Sequence, residues 1–193
     1  MTFLSPCTRA LTGACIAMLL GTACGATTVT VTPSSSTSHA ASPSAAPQAF
    51  AGTGFRTKVP AGWQDQTTNQ TAVSSLGGSG TLLMLLASPD HGLVAVRTTP
   101  QPVADDQLAH YLTTVTPPGA SGVSHAEPVD IDGRSGVLIT YMVVPASGAA
   151  QENEAMVVNQ AGNTYEILLS TAQAGFARDA AGLQEILNSW TWA

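Results

Sequence analysis

The chain has 193 residues, is 44% hydrophobic and only 9% charged, and carries a net charge of −6. Its six basic residues, Arg9, Arg56, Lys58, Arg97, Arg134 and Arg178, form no run. That excludes the basic patch a nucleic-acid binder needs and an electrostatic grip on anionic lipid headgroups. The three cysteines, Cys7, Cys15 and Cys24, all lie at or before Cys24, which excludes a disulfide, a thiolate zinc site or a catalytic cysteine from residues 25–193.

Residues 1–23 have the order of a signal peptide. Arg9 and the amino terminus form a weak positive end, and residues 10–20 are an uncharged stretch weighted by Leu11, Ile16, Met18, Leu19 and Leu20. That stretch is too short to span a bilayer, which needs about 20 apolar residues. The segment Leu20-Gly21-Thr22-Ala23-Cys24-Gly25 resembles the bacterial lipobox, although its leucine stands four residues before the cysteine instead of the usual three. The resemblance implies a diacylglycerol on the Cys24 sulfur, cleavage before Cys24, and an acyl chain such as palmitate on the new amino group. Each buried methylene contributes about 0.8 kcal/mol, so two or more chains anchor stably. The competing reading is plain secretion, with cleavage after Ala26.

Residues 24–51 read as the lipidated cysteine and a tether rich in Ser, Thr and Pro. Such composition has nothing to bury and predicts disorder. A coil of about 24 residues reaches roughly 27 Å on average, and its hydroxyl density permits O-glycosylation. The remainder, residues 52–193, is close to the common size of one domain.

Within the domain, Phe55, Thr57 and Val59 alternate with Arg56 and Lys58, predicting a half-buried strand. Pro60-Ala61-Gly62-Trp63 turns, polar residues 64–71 read as loop, and Gly77-Gly78-Ser79-Gly80 as a second turn. Residues 81–87 are apolar on both faces, a buried strand, and residues 93–98 follow as another. Leu108, Tyr111, Leu112 and Val115 have helical spacing, with Asp105 and Asp106 at the amino end, where the helix dipole favours acids. Asp132-Gly133 is a hairpin signal leading to a strand at 137–144. Strands at 155–159 and 164–170 complete an antiparallel run, and Phe176, Ala180, Leu183, Ile186, Leu187 and Trp190 mark a last helix. The order predicts an α+β fold.

Three stretches make the domain similar to the PsbP-like family. They are Phe55-x-x-x-Val59-Pro60-x-Gly62-Trp63, Val129-x-Ile131-x-Gly133-Arg134 before a long strand, and a Tyr165 strand followed by a helix ending Ile186-Leu187-Asn188-Ser189-Trp190. With the lipobox and tether, the whole resembles the LpqN group of actinobacterial lipoproteins. The resemblance implies an α/β/α sandwich around a central antiparallel sheet. It also implies a binding or assembly-assisting role, and it supplies no catalytic residues.

Candidate chemistry is sparse. Ser79 lacks the spacing of a nucleophile elbow. The four histidines, His39, His91, His110 and His125, have no helical metal spacing, and Asp90 with His91 is the one acid–base pair worth testing. Asp130-Ile131-Asp132-Gly133 begins like a calcium loop but lacks the later ligands. Glu152 and Glu154 share a strand face. No cofactor or metal is expected. The leading expectation is a non-enzymatic envelope lipoprotein on the outer face of the cell membrane, partnered by an envelope protein or lipid. The alternatives are a carrier of an apolar ligand, with a cavity lined by Met84, Leu86, Tyr141 or Trp190, and a hydrolase using His91.

Overall fold

The computed structural model describes residues 46–76, 79–145 and 148–193. The expected signal peptide, Cys24 and most of the expected tether lie outside them. The strands are β1 (Gln48–Gly52), β2 (Phe55–Val59), β3 (Gln64–Asp65), β4 (Thr81–Ala87), β5 (Leu93–Thr98), β6 (Glu127–Ile131), β7 (Arg134–Val143), β8 (Gln151–Gln160), β9 (Asn163–Ala172) and β10 (Thr191–Trp192). The helices are α1 (Gln70–Ser75), α2 (Leu108–Val115) and α3 (Phe176–Asn188). Short 3-10 turns, Asp105–Gln107 and Gln173–Gly175, lead into α2 and α3. Among the described residues no helix is long and apolar enough to cross a membrane.

The strands form a large seven-stranded sheet, ordered β3-β4-β5-β9-β8-β7-β6, and a small three-stranded sheet, ordered β1-β2-β10. Every pairing is antiparallel. The fold is α+β, with a central antiparallel sheet flanked by helices.

Strand alternation assigns the two faces of the large sheet. On β8, Met156 and Val158 join Leu183 and Ile186 of α3, together with Phe55 and Val59 of the small sheet. Their neighbours Ala155 and Val157 join Leu108 and Leu112 of α2. One side is therefore closed by α3 and the small sheet, the other by α2. Thr57 ties the small sheet to α3, its hydroxyl donating to the Ile186 carbonyl at 2.7 Å.

The β6–β7 hairpin turns on Asp132 and Gly133, at φ 49° and 74°. Both angles are positive, as the tightest two-residue hairpin turn requires. Ala161 and Gly162 turn β8 into β9 in the same way, at φ 48° and 77°.

The structure moves several expected boundaries. The described residues include β1, whose Gln48 pairs with Val59 and whose Phe50 pairs with Thr57. The last residues assigned to the tether are therefore strand. Phe50 packs on the core. The expected loop at 64–71 instead contains β3 and the start of α1, which Asn69 caps by accepting from the Ala72 N–H at 3.3 Å. β8 begins at Gln151, ahead of the expected Ala155.

Candidate functional site

The Asp90–His91 pair lies in the turn between β4 and β5. The buried Ser88 hydroxyl organises that turn, accepting from the N–H groups of Asp90 and Gly92 at 3.2 and 2.9 Å. The turn places His91 at φ 67°, exposed to solvent. The Asp90 carboxylate goes to Arg178 of α3, 2.9 Å away. The acid is thus spent on an ion pair across two elements, and no Asp90–His91 couple is assembled. With Arg178 72% exposed, that pair contributes little to stability.

Behind the turn lies a polar pair that sequence reading missed. Thr171 and Asp179 are each 2% exposed, and the Thr171 hydroxyl donates to Asp179 Oδ2 at 2.5 Å. A β-carbon on Gly92 would strike that carboxylate, so the backbone closes over it. Asp179 falls in phase with Phe176, Leu183 and Ile186. That position on the apolar stripe was the signal available.

The remaining candidates are occupied or exposed. Asp130 accepts from the Gly133 N–H at 2.9 Å, and Asp132 from the Trp192 N–H at 3.0 Å. Both carboxylates serve the hairpin and its junction with β10. Ser79 is exposed ahead of β4, and His110 and His125 are exposed. His39 lies outside the described residues. Glu152 and Glu154 lie on the α3 face of β8, and burial pushes the Glu154 carboxyl above its ordinary value. Among the described residues no group of three His, Cys, Asp or Glu side chains is placed to hold a metal ion.

The apolar quartet expected to line a cavity does not come together. Met84, Leu86 and Trp190 are 0%, 0% and 3% exposed and belong to the α3-side core. Tyr141 belongs to the α2-side core, across the sheet. In place of a cavity there is aromatic packing. Phe55 stacks on Trp190 with centroids 4.1 Å apart, and Trp192 meets both Trp190 and Tyr165, at 5.2 and 5.0 Å.

The most perturbed polar cluster lies on the α2 face. Arg97 of β5, 7% exposed, stands directly opposite Glu166 of β9. Tyr111 of α2 donates its hydroxyl to Glu166 Oε2 at 3.3 Å. Burial, reinforced by the Glu166 charge and that hydrogen bond, pushes the Tyr111 phenol up to about 12. Burial, with Glu166, also raises Tyr141. The Tyr111 phenol is therefore a neutral donor to Glu166. Nothing in the sequence links Arg97 to Glu166, because their pairing depends on a long-range register.

The architecture has a counterpart among solved structures. The chain is similar to the solution structure of cyanobacterial PsbP (CyanoP) from Synechocystis sp. PCC 6803. The TM-score is 0.53 at 16% identity, over 84% of this chain and 100% of that one. A crystal structure from Bacteroides thetaiotaomicron VPI-5482 is similar over 72% of this chain and 45% of that chain, with TM-score 0.48 and 15% identity. No protein-family model and no curated protein sequence matches the chain. The CyanoP likeness shows that the described domain has a PsbP-like fold.

Proposed function

We propose that this chain is an exported lipoprotein of the LpqN kind. Acylated Cys24 holds it on the outer face of the cell membrane, and its PsbP-like domain is a non-enzymatic binding or accessory module. The observation that carries the anchor is the sequence Leu20-Gly21-Thr22-Ala23-Cys24 at the end of an apolar run, followed by a Ser/Thr/Pro stretch. Three facts support an accessory role for the domain. Its fold is shared with a cyanobacterial PsbP. The Asp90 carboxylate pairs with Arg178, and Asp130 and Asp132 accept from backbone N–H groups. The partner is an envelope protein or lipid.

Metabolic labelling with an alkyne fatty acid tests the anchor. Wild-type protein should carry the label and sediment with membranes. Cys24→Ser should lose both properties, and membrane retention by that variant overturns the anchor. Cross-linking of the wild-type chain in intact cells, followed by mass spectrometry, tests the accessory role. The expected result is one recurrent envelope partner.

A further inference from the structure

The two faces of β7 and β8 are closed unequally. On the α2 face, Ile139, Tyr141 and Asn153 are 2%, 6% and 4% exposed. On the α3 face, the residues that alternate with them, Thr140 and Met142 of β7 and Glu152 and Glu154 of β8, are all half-buried. An edge position does not explain this, because β8 lies inside the sheet between β7 and β9. The cover itself stops short. α3 packs on β9 and β2, and on β9 both Leu169 and Thr171 are buried. Those two residues stand directly opposite Glu154 and Glu152. One strand further on, the sheet is open.

The floor of this open face is largely apolar and its rim is acidic. Leu138, Thr140 and Met142 follow one another along β7. Glu127 of β6 stands opposite Leu138, Glu154 opposite Thr140 and Glu152 opposite Met142. None of the three carboxylates has an ion pair or hydrogen bond among the described residues. The basic residue on this face of β7, Arg134, stands four residues before Leu138, about 13 Å along the strand. Val123 and Val144, exposed by 45% and 65%, adjoin the same corner. Val144 lies two residues beyond Met142, and Val123 two beyond Ser121, which pairs with Met142.

Geometry sets the shape of an occupant. Helices pack about 8–10 Å apart, and neighbouring strands lie about 4.8 Å apart. A second helix laid beside α3, which sits over β9, would therefore lie about two strands on, over β7. Charge sets its composition. A lysine or arginine can lay its apolar stem on Leu138 and Met142 and carry its head group to the carboxylates, and methionine adapts to the surface it meets. An acidic or purely apolar segment would bury Glu154 further without pairing it, which is unfavourable. We propose that this face docks an amphipathic helix of an envelope protein, its seated side bearing lysine or arginine among apolar residues. This names a partner class for the accessory module proposed above. It rests on that reading and not on the anchor at Cys24.

Site-specific photo-cross-linking of the full chain in intact cells tests it. p-Benzoylphenylalanine is placed at Met142 and, as the control, at Lys58 on the outer face of the small sheet. The Met142 probe should capture one recurrent protein, joined through a segment with at least two Lys or Arg at helical spacing. The Lys58 probe should capture it at least tenfold less. Glu127→Lys with Glu152→Lys should lower the Met142 yield at least tenfold. Glu127→Gln with Glu152→Gln, the milder change for folding, should lower it at least threefold. An adduct with a second copy of this chain, with lipid alone or with a segment lacking basic residues overturns the proposal, as does a yield that neither pair of substitutions lowers. No adduct from Met142 overturns it as well, and the accessory reading then stands only if untargeted cross-linking of the wild-type chain still finds a recurrent partner.

Discussion

The Trp63 indole lies so close to α3 that a β-carbon on Gly182 would sit 2.5 Å from its Cζ2. Alanine is about 1 kcal/mol better than glycine inside a helix, but overpacking costs about 1–3 kcal/mol. Gly182→Ala should therefore destabilise the wild type in urea denaturation. In a Trp63→Ala background the same change should stabilise by about 1 kcal/mol. An unchanged sign would show that the ring yields.

Trp190 and Trp192 give a second comparison. Trp190 Nε1 is buried without a hydrogen-bond partner among the described residues, whereas Trp192 Nε1 donates to the Ile131 carbonyl at 2.8 Å. Trp→Phe shrinks the ring at both positions. At Trp190 it also removes an orphan donor, whose burial costs about 1–3 kcal/mol. At Trp192 it removes a made bond, worth about 0.5–1.5 kcal/mol. Thermal unfolding should rank Trp192→Phe below Trp190→Phe in stability.

Thr171→Val should destabilise by about 2 kcal/mol, because it leaves the buried Asp179 carboxylate without the hydroxyl that serves it. Thr171→Ser retains a donor and should recover most of that loss. Chemical denaturation of both variants checks the order.

Glu154 gives the pH dependence. Burial raises its carboxyl above the ordinary 4.5, so the folded state holds that proton more tightly than the unfolded chain. The associated stability is fully present below the ordinary value and is lost as pH rises through the raised one. Glu154→Gln should therefore unfold at a higher temperature than wild type at pH 7, and the advantage should shrink toward pH 4. A gap independent of pH would contradict the burial effect.

The elements legible in the sequence were those specified locally. Asp132-Gly133 announced its hairpin because few residue pairs tolerate positive φ at both positions. Leu108 and Leu112 marked α2 by spacing, and the apolar run of β4 announced a strand buried on both faces. What stayed hidden depends on register between distant strands. Tyr141 and Met84 both read as core. Only the pairing of β7, β8, β9, β5 and β4 shows that they face opposite sides. The Arg97–Glu166 and Asp105–Asn159 contacts are hidden for the same reason. β1 was missed because its alanines and glutamine resemble in composition the Ser/Thr/Pro-rich stretch before them. Its strand character comes from β2.

β2 receives one neighbour from the hairpin beside it and the other, β10, from the far end of the described domain. Closing such a long loop costs chain entropy, and non-local pairings of this kind slow folding. Until residues 190–192 are available, Phe55 lacks its stacking partner and Tyr165 its cover. Loss of Trp190 and Trp192 would therefore open the core at its amino-terminal strands as much as at α3.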